Sequence, residues 1–193
     1  MNQFIKSFSV RLLFVPSFVA FLWCVSTAFT QSWGGELAEK QEKLNGGYYL
    51  LHHLCNDEAQ LPMLLAVKHA PSEIEGFAGK ISKTAKESNS LLEQMQAHDP
   101  VIKWDGNPLP PIEQDVRESI RDEKQHQLLF GTKDAEFVRA LLVSQIEASN
   151  YASTLAKVLA EQETDPKRIK SLEKIFSKWL AIHQESTRLL AAM

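Results

Sequence analysis

Residues 165–190 read DPKRIKSLEKIFSKWLAIHQESTRLL. An Asp-Pro pair opens the stretch. Asp165 can cap the first turn of a helix with its side-chain oxygen, and Pro166 suits the first helical position. Behind it Ile169, Leu172, Phe176, Trp179, Ile182 and Leu189-Leu190 recur at mostly three- and four-residue steps, with polar residues between them. That is the period of an amphipathic helix. A helix of this length with one apolar face must be covered by other helices or by a sheet. No stretch of the chain alternates like a strand, so helices must do it.

The same period extends toward the N-terminus. Phe137, Leu141, Ser144, Ala148, Tyr151, Leu155 and Val158 predict a preceding long helix. Ser72 with Glu75 three residues later is a capping box, and Ile74, Phe77, Ala78, Ile81, Ala85, Ser88, Leu92 and Met95 follow it on one face. Leu37, Leu44 and Leu51, joined by Tyr48, Leu54, Cys55 and Leu61, predict a long first helix kinked at Pro62. Gly46-Gly47 weakens that helix. Ile112, Val116 and Ile120 mark a shorter, more polar helix after Pro110-Pro111. The expected fold is all-α: an antiparallel four-helix bundle with a short extra helix in the crossover between two hairpins. Tight turns at Pro71 and Asp165 set the levels. In the second hairpin, residues whose numbers add to about 329 face each other, so Glu147 and His183 share a level. In the first the total is about 141, which brings Asn56 near Ala85.

The chain opens with a different signal. Lys6 and Arg11 precede an uncharged, mostly apolar run from Leu12 to Phe29, and Ser26-Thr27-Ala28 supplies small residues for cleavage after Ala28. This order reads as a signal peptide over 1–28 and a periplasmic or otherwise exported product. The alternative is an uncleaved anchor in the inner membrane, since the run sits at the lower edge of a spanning length. Residues 29–35 read as a flexible lead-in and 36–193 as the bundle domain. Without Lys6 and Arg11 the chain keeps 19 basic against 24 acidic residues, a net −5. Such a balance argues against nucleic acid and anionic membrane surfaces as partners. It leaves an unidentified protein partner open. Cys24 lies in the leader, so Cys55 is the lone cysteine of the domain and is expected in the core.

Few residues suggest chemistry. Glu147 flanks an apolar stripe and His183 adjoins Ile182, so a carboxylate–imidazole hydrogen bond is expected across the second hairpin, as in metal sites and proton transfer. His52 and His53 are adjacent and point about 100° apart on a helix, so they cannot chelate one ion together. One of them could join Glu58 or His183. The only Glu-x-x-His spacing, Glu123 to His126, lies in a highly charged stretch and reads as a solvated face. Trp104, in a Pro-rich loop, is either a docking feature or a lid folded onto the bundle end. No nucleophile motif or phosphate loop is present.

The chain resembles the exported, ferritin-like domain-of-unknown-function family labelled "predicted outer membrane protein". The carriers are Glu58 ahead of Leu61–Ala66, Pro71-Ser72-Glu73-Ile74 with Phe77-Ala78, Asp134-Ala135-Glu136-Phe137, and the spacing to Trp179 and His183. The resemblance runs over roughly Tyr48 to Leu190 and implies a ferritin-like bundle. Family histidines align with Ala85 and Ser149 here, and His183 alone retains one. The expectation is therefore a non-enzymatic exported bundle that binds a partner or supports the envelope, with no cofactor. The alternative is a divalent-metal-binding bundle using Glu58, Glu147 and His183.

Overall fold

The computed structural model describes residues 17–98, 102–104, 106–131 and 134–193. Much of the 1–28 leader, including Lys6 and Arg11, lies outside them. The chain divides into two compact units, 1–41 and 42–193. Six α-helices follow in order: α1 (Ser17–Glu58), α2 (Leu61–Val67), α3 (Ser72–His98), α4 (Pro111–His126), α5 (Asp134–Gln162) and α6 (Pro166–Ala191). A π-helical turn, Gln127–Gly131, extends α4. There is no strand among the described residues, and the fold is an all-α helical bundle.

Two boundaries differ from expectation. Residues 29–35 are helical rather than a lead-in. Gly34-Gly35 costs about 1 kcal/mol per glycine against alanine, which lowers helix stability without a proline's steric block. Pro62 does not kink one helix; it sits in the first turn of a separate one, α2. A proline is tolerated there because the first-turn N–H has no helical partner to lose. Ala59-Gln60 make the turn, with Ala59 N–H still bonded to Cys55 O.

Within residues 42–193 the core runs along the interior of α1, α3, α5 and α6. Tyr48, Leu51 and Cys55 come from α1, Ile81, Ala85 and Leu92 from α3, and Leu172, Ile175, Trp179 and Ile182 from α6. Cys55 is fully buried, and burial pushes its thiol up to about 12. On α6 it is Ile175 that is fully buried, while Phe176 packs half-buried at the edge. On α5 Phe137 and Leu141 are buried as expected, and with them Val138, Leu142, Gln145, Ser149, Ala152, Ala156 and Leu159. The later part of the face is rotated from the one expected: Tyr151 and Val158 point outward at 37% and 39% exposure. Small and polar side chains fill it because neighbouring helices approach closely there. A Cβ on Gly47 of α1 would stand 2.6 Å from the Leu159 side chain. Gly46 likewise lies against Pro108, where a Cβ would be 2.9 Å from the proline ring. Both glycines of the pair read as weak points are close-approach positions.

The two hairpin levels agree with the arithmetic. His183 Nδ1 lies 3.2 Å from Ile146 O across α5 and α6, and Ser82 donates to Ala59 O at 2.7 Å across α1 and α3. Asp165 caps α6 by accepting from the N–H groups of Lys167 and Arg168. Trp104 does not close the bundle end. Its ring stacks on His52 at 4.7 Å with a 2° interplanar angle, partway along α1. Ile102, at 1% exposure, and the bond from Lys103 N–H to Asn45 Oδ1 hold the same loop down. Gly106, at φ +98°, makes the turn in the Trp-to-Pro stretch, a conformation that favours glycine.

Candidate functional site

Glu58, Glu147 and His183 go to three different surroundings. Glu58, in the last turn of α1, bonds the Gln145 side chain of α5. Glu147 is exposed on α5 and pairs with Lys124 of α4. His183 is half-buried and bonds a main-chain carbonyl, which can only accept, so Nδ1 carries the hydrogen. The expected Glu147–His183 contact is replaced by these partners. The level was right and the partner was not: His183 meets the main-chain carbonyl of Ile146, and Glu147 turns to Lys124. His53 pairs with Asp57 at 3.6 Å, and His52 is held by Trp104 and Asn56. Burial lowers the His52 pKa, against a raising influence from Glu93. His126 packs against the Phe130 ring, and it and Glu123 are exposed. Among the described residues no group of three or more His, Cys, Asp or Glu side chains could hold a metal ion.

Two buried polar groupings escaped the sequence reading. One is a layer across the middle of the bundle. Trp179 Nε1 donates to Ser88 Oγ at 3.1 Å, with Cys55 beside both. Asn89 donates to Asn56 at 2.6 Å. Glu58 keeps some accessible surface, but its carboxyl lies among packed atoms. Burial raises it from 4.5 to about 7, while the Gln145 bond and the charge of Asp57 pull in opposite directions. The Oε1 of Gln145, a residue 3% exposed, finds no donor. The other grouping is a structural node at Glu163. Its carboxylate accepts from Tyr48 OH, from the N–H groups of Thr164 and Asp165, and from a terminal nitrogen of the Arg168 guanidinium at 2.9 Å, with Arg168 Nε also within ion-pair distance. This ties α1 to the α5–α6 turn and gives the carboxylate a structural role.

The surface offers a third feature. α4 buries none of its residues. Its charged flank meets α5: Lys124 pairs with Glu147, and the Arg117 guanidinium lies 5.8 Å from the Tyr151 ring centroid. Its apolar stripe is thereby turned outward. Ile112, Val116 and Ile120, one helical turn apart in succession, are 72%, 46% and 48% exposed, and Phe130 within the π turn is 73% exposed. A half-open pocket of about 250 Å³ between α4 and α5 is lined by Lys124, Leu128, Ala140, Val143 and Glu147 among others. The π turn inserts one residue per turn into the ladder and re-aims the end of the helix. A monomeric protein rarely leaves so continuous an apolar stripe in water unless something binds it.

Comparison with known protein families, curated proteins and solved structures returns no match. Among the described residues no helix is long and apolar enough to cross a membrane.

Proposed function

We propose that this chain is an exported, non-catalytic docking protein: an antiparallel four-helix bundle of ferritin-like topology whose crossover helix, α4, receives a protein partner. The observation that carries the reading is the outward apolar stripe Ile112–Val116–Ile120 on a helix that buries nothing of its own. Burying one such side chain fully is worth about 1.5–3 kcal/mol, so three in a row support a stable contact. Paired contacts support this topology. Asn56–Asn89 and Ala59–Ser82 run α1 against α3. Glu58–Gln145 and Tyr48–Glu163 run α1 against the α5 hairpin, and Ser88–Trp179 with Lys80–Glu185 runs α3 against α6. α3 and α5 then point the same way, and the chain between them must travel back along the bundle. The loop and α4 make that return.

The export half of the reading rests on the leader, and cleavage after Ala28 gives a mature N-terminus at Phe29, readable by N-terminal sequencing of envelope material. The metal-binding alternative drew on Glu58, Glu147 and His183, which are each engaged elsewhere. The docking half is tested with a photo-crosslinking residue at position 116 and, as a control, at Lys170 on α6. Covalent adducts in intact cells at 116 and none at 170 are expected. Equal adducts at both, or none at 116, overturn it.

A further inference from the structure

We infer that the partner segment received by α4 is a basic amphipathic helix. This rests on the docking reading above and adds the chemistry of the occupant. Ile112, Val116 and Ile120 form a straight ridge two turns long, about 12 Å. Ridges of residues four apart pack into the matching grooves of another helix, so the shape complements a helix laid along α4.

Charge decides which helix. The two rims of the stripe differ. On the rim toward α5, Arg117 is bonded to Glu113 at 2.8 Å and Lys124 to Glu147, so the basic groups there are already spent. On the open rim stand Asp115 and Asp122, with Glu123 on the line of the stripe itself. Arg121 reaches Glu118 at 3.3 Å and Asp122 at 3.8 Å, which offsets one of these acids. Asp115 and Glu123 are exposed and make no ion pair among the described residues. An arriving helix meets apolar ridge and unopposed carboxylate together. Lysine or arginine beside its own apolar stripe matches both.

The same charges disfavour other occupants. In an antiparallel two-fold pairing of α4 with a second copy, the same rim faces itself, which would set Asp115, Asp122 and Glu123 against the same acids of the other copy. An anionic membrane surface is repelled by the same acids.

The test uses the protein as it accumulates in expressing cells and two labelled 18-residue helical peptides, one of leucine and lysine, one of leucine and glutamate, read by fluorescence anisotropy. The leucine–lysine peptide is expected to bind at least tenfold tighter than the leucine–glutamate one. Val116→Asp should weaken it about tenfold, and Asp115→Lys with Glu123→Lys about as much. Added salt should weaken it further. Unchanged melting temperatures of the variants separate loss of binding from loss of fold. If both peptides bind alike and Val116→Asp weakens both, the docking surface stands and the charge inference falls. If Val116→Asp changes neither, both fall. A dimer in sedimentation velocity that Val116→Asp dissolves makes the occupant a second copy and overturns the inference.

Discussion

Tyr48 donates its phenolic hydrogen to Glu163 Oε2 at 2.7 Å, across 115 positions of sequence. The ring is fully buried, and the carboxylate it meets is held by Arg168 and two backbone N–H groups. One bond thus joins α1 to the turn that reverses α5 into α6.

Tyr48→Phe removes that bond and leaves the ring in position. A hydrogen bond to a charged group is worth about 1.5–3 kcal/mol, and a loss of that size is expected in urea unfolding. An unchanged denaturant midpoint would mean that water replaces the hydroxyl at no cost.

Glu163 also sets an acid limit. Burial by itself would raise its carboxyl, but the bonds from Arg168, Tyr48, Thr164 and Asp165 win and hold it below 4.5. A depressed folded pKa contributes stability that is present above the unfolded value and disappears as pH falls through the folded one. The melting temperature should therefore drop below about pH 4.5, and Glu163→Gln, already destabilised at pH 7, should lose less than the parent between pH 5 and 3. Parallel acid profiles would remove Glu163 from this role.

Trp179→Ala should cost about 3–5 kcal/mol, since the indole is fully buried and its loss also removes the donor to Ser88 Oγ. Trp179→Phe keeps most of the volume and should cost clearly less. Equal costs would show that the indole N–H, not the ring, carries the contribution.

Much of this was legible. The faces of α1 and α3 came out of the spacing of large apolar residues, because Tyr48, Leu51, Ile81 and Leu92 announce burial by their size. The register of both hairpins followed from the turns. Phe137 and Leu141 opened the α5 face correctly, but its later part was not legible, because Ser149, Ala152, Ser153 and Ala156 are buried there and small residues leave no hydrophobic period. That rotation carried Glu147 to the outside and cost the expected pair with His183. The apolar residues of α4 were read as an ordinary helix face. Period alone cannot distinguish a stripe that meets the core from one that meets water. Glu163 was hidden for another reason: its partners Tyr48 and Arg168 are joined by tertiary structure that no local spacing encodes.

Gly47 and Gly79 make a matched test of helix glycines. A Cβ on Gly47 would meet the Leu159 side chain at 2.6 Å, while Gly79 has open space. Gly79→Ala should stabilise α3 by about 0.5–1 kcal/mol through helix propensity. Gly47→Ala gains the same propensity but must push a buried leucine aside, an overpacking cost of about 1–3 kcal/mol. Opposite signs in thermal denaturation are expected; a stabilising Gly47→Ala would mean that Leu159 moves without penalty.

Glu58 makes the bundle's stability depend on pH from the other side. Its carboxyl is raised from 4.5 to about 7, chiefly by burial, so the fold prefers it protonated. The unfolded chain releases the proton near the ordinary value. Between the two, the unfolded state gains free energy that the folded state does not, and stability falls as pH rises from 4.5 to about 7. Above that the penalty is complete, on the order of 3 kcal/mol. Glu58→Gln keeps the shape and cannot ionise. It should raise the melting temperature at pH 8 and leave it nearly unchanged at pH 4.5. A Glu58→Gln effect of the same size at both pH values would show that the carboxyl is solvated in the fold.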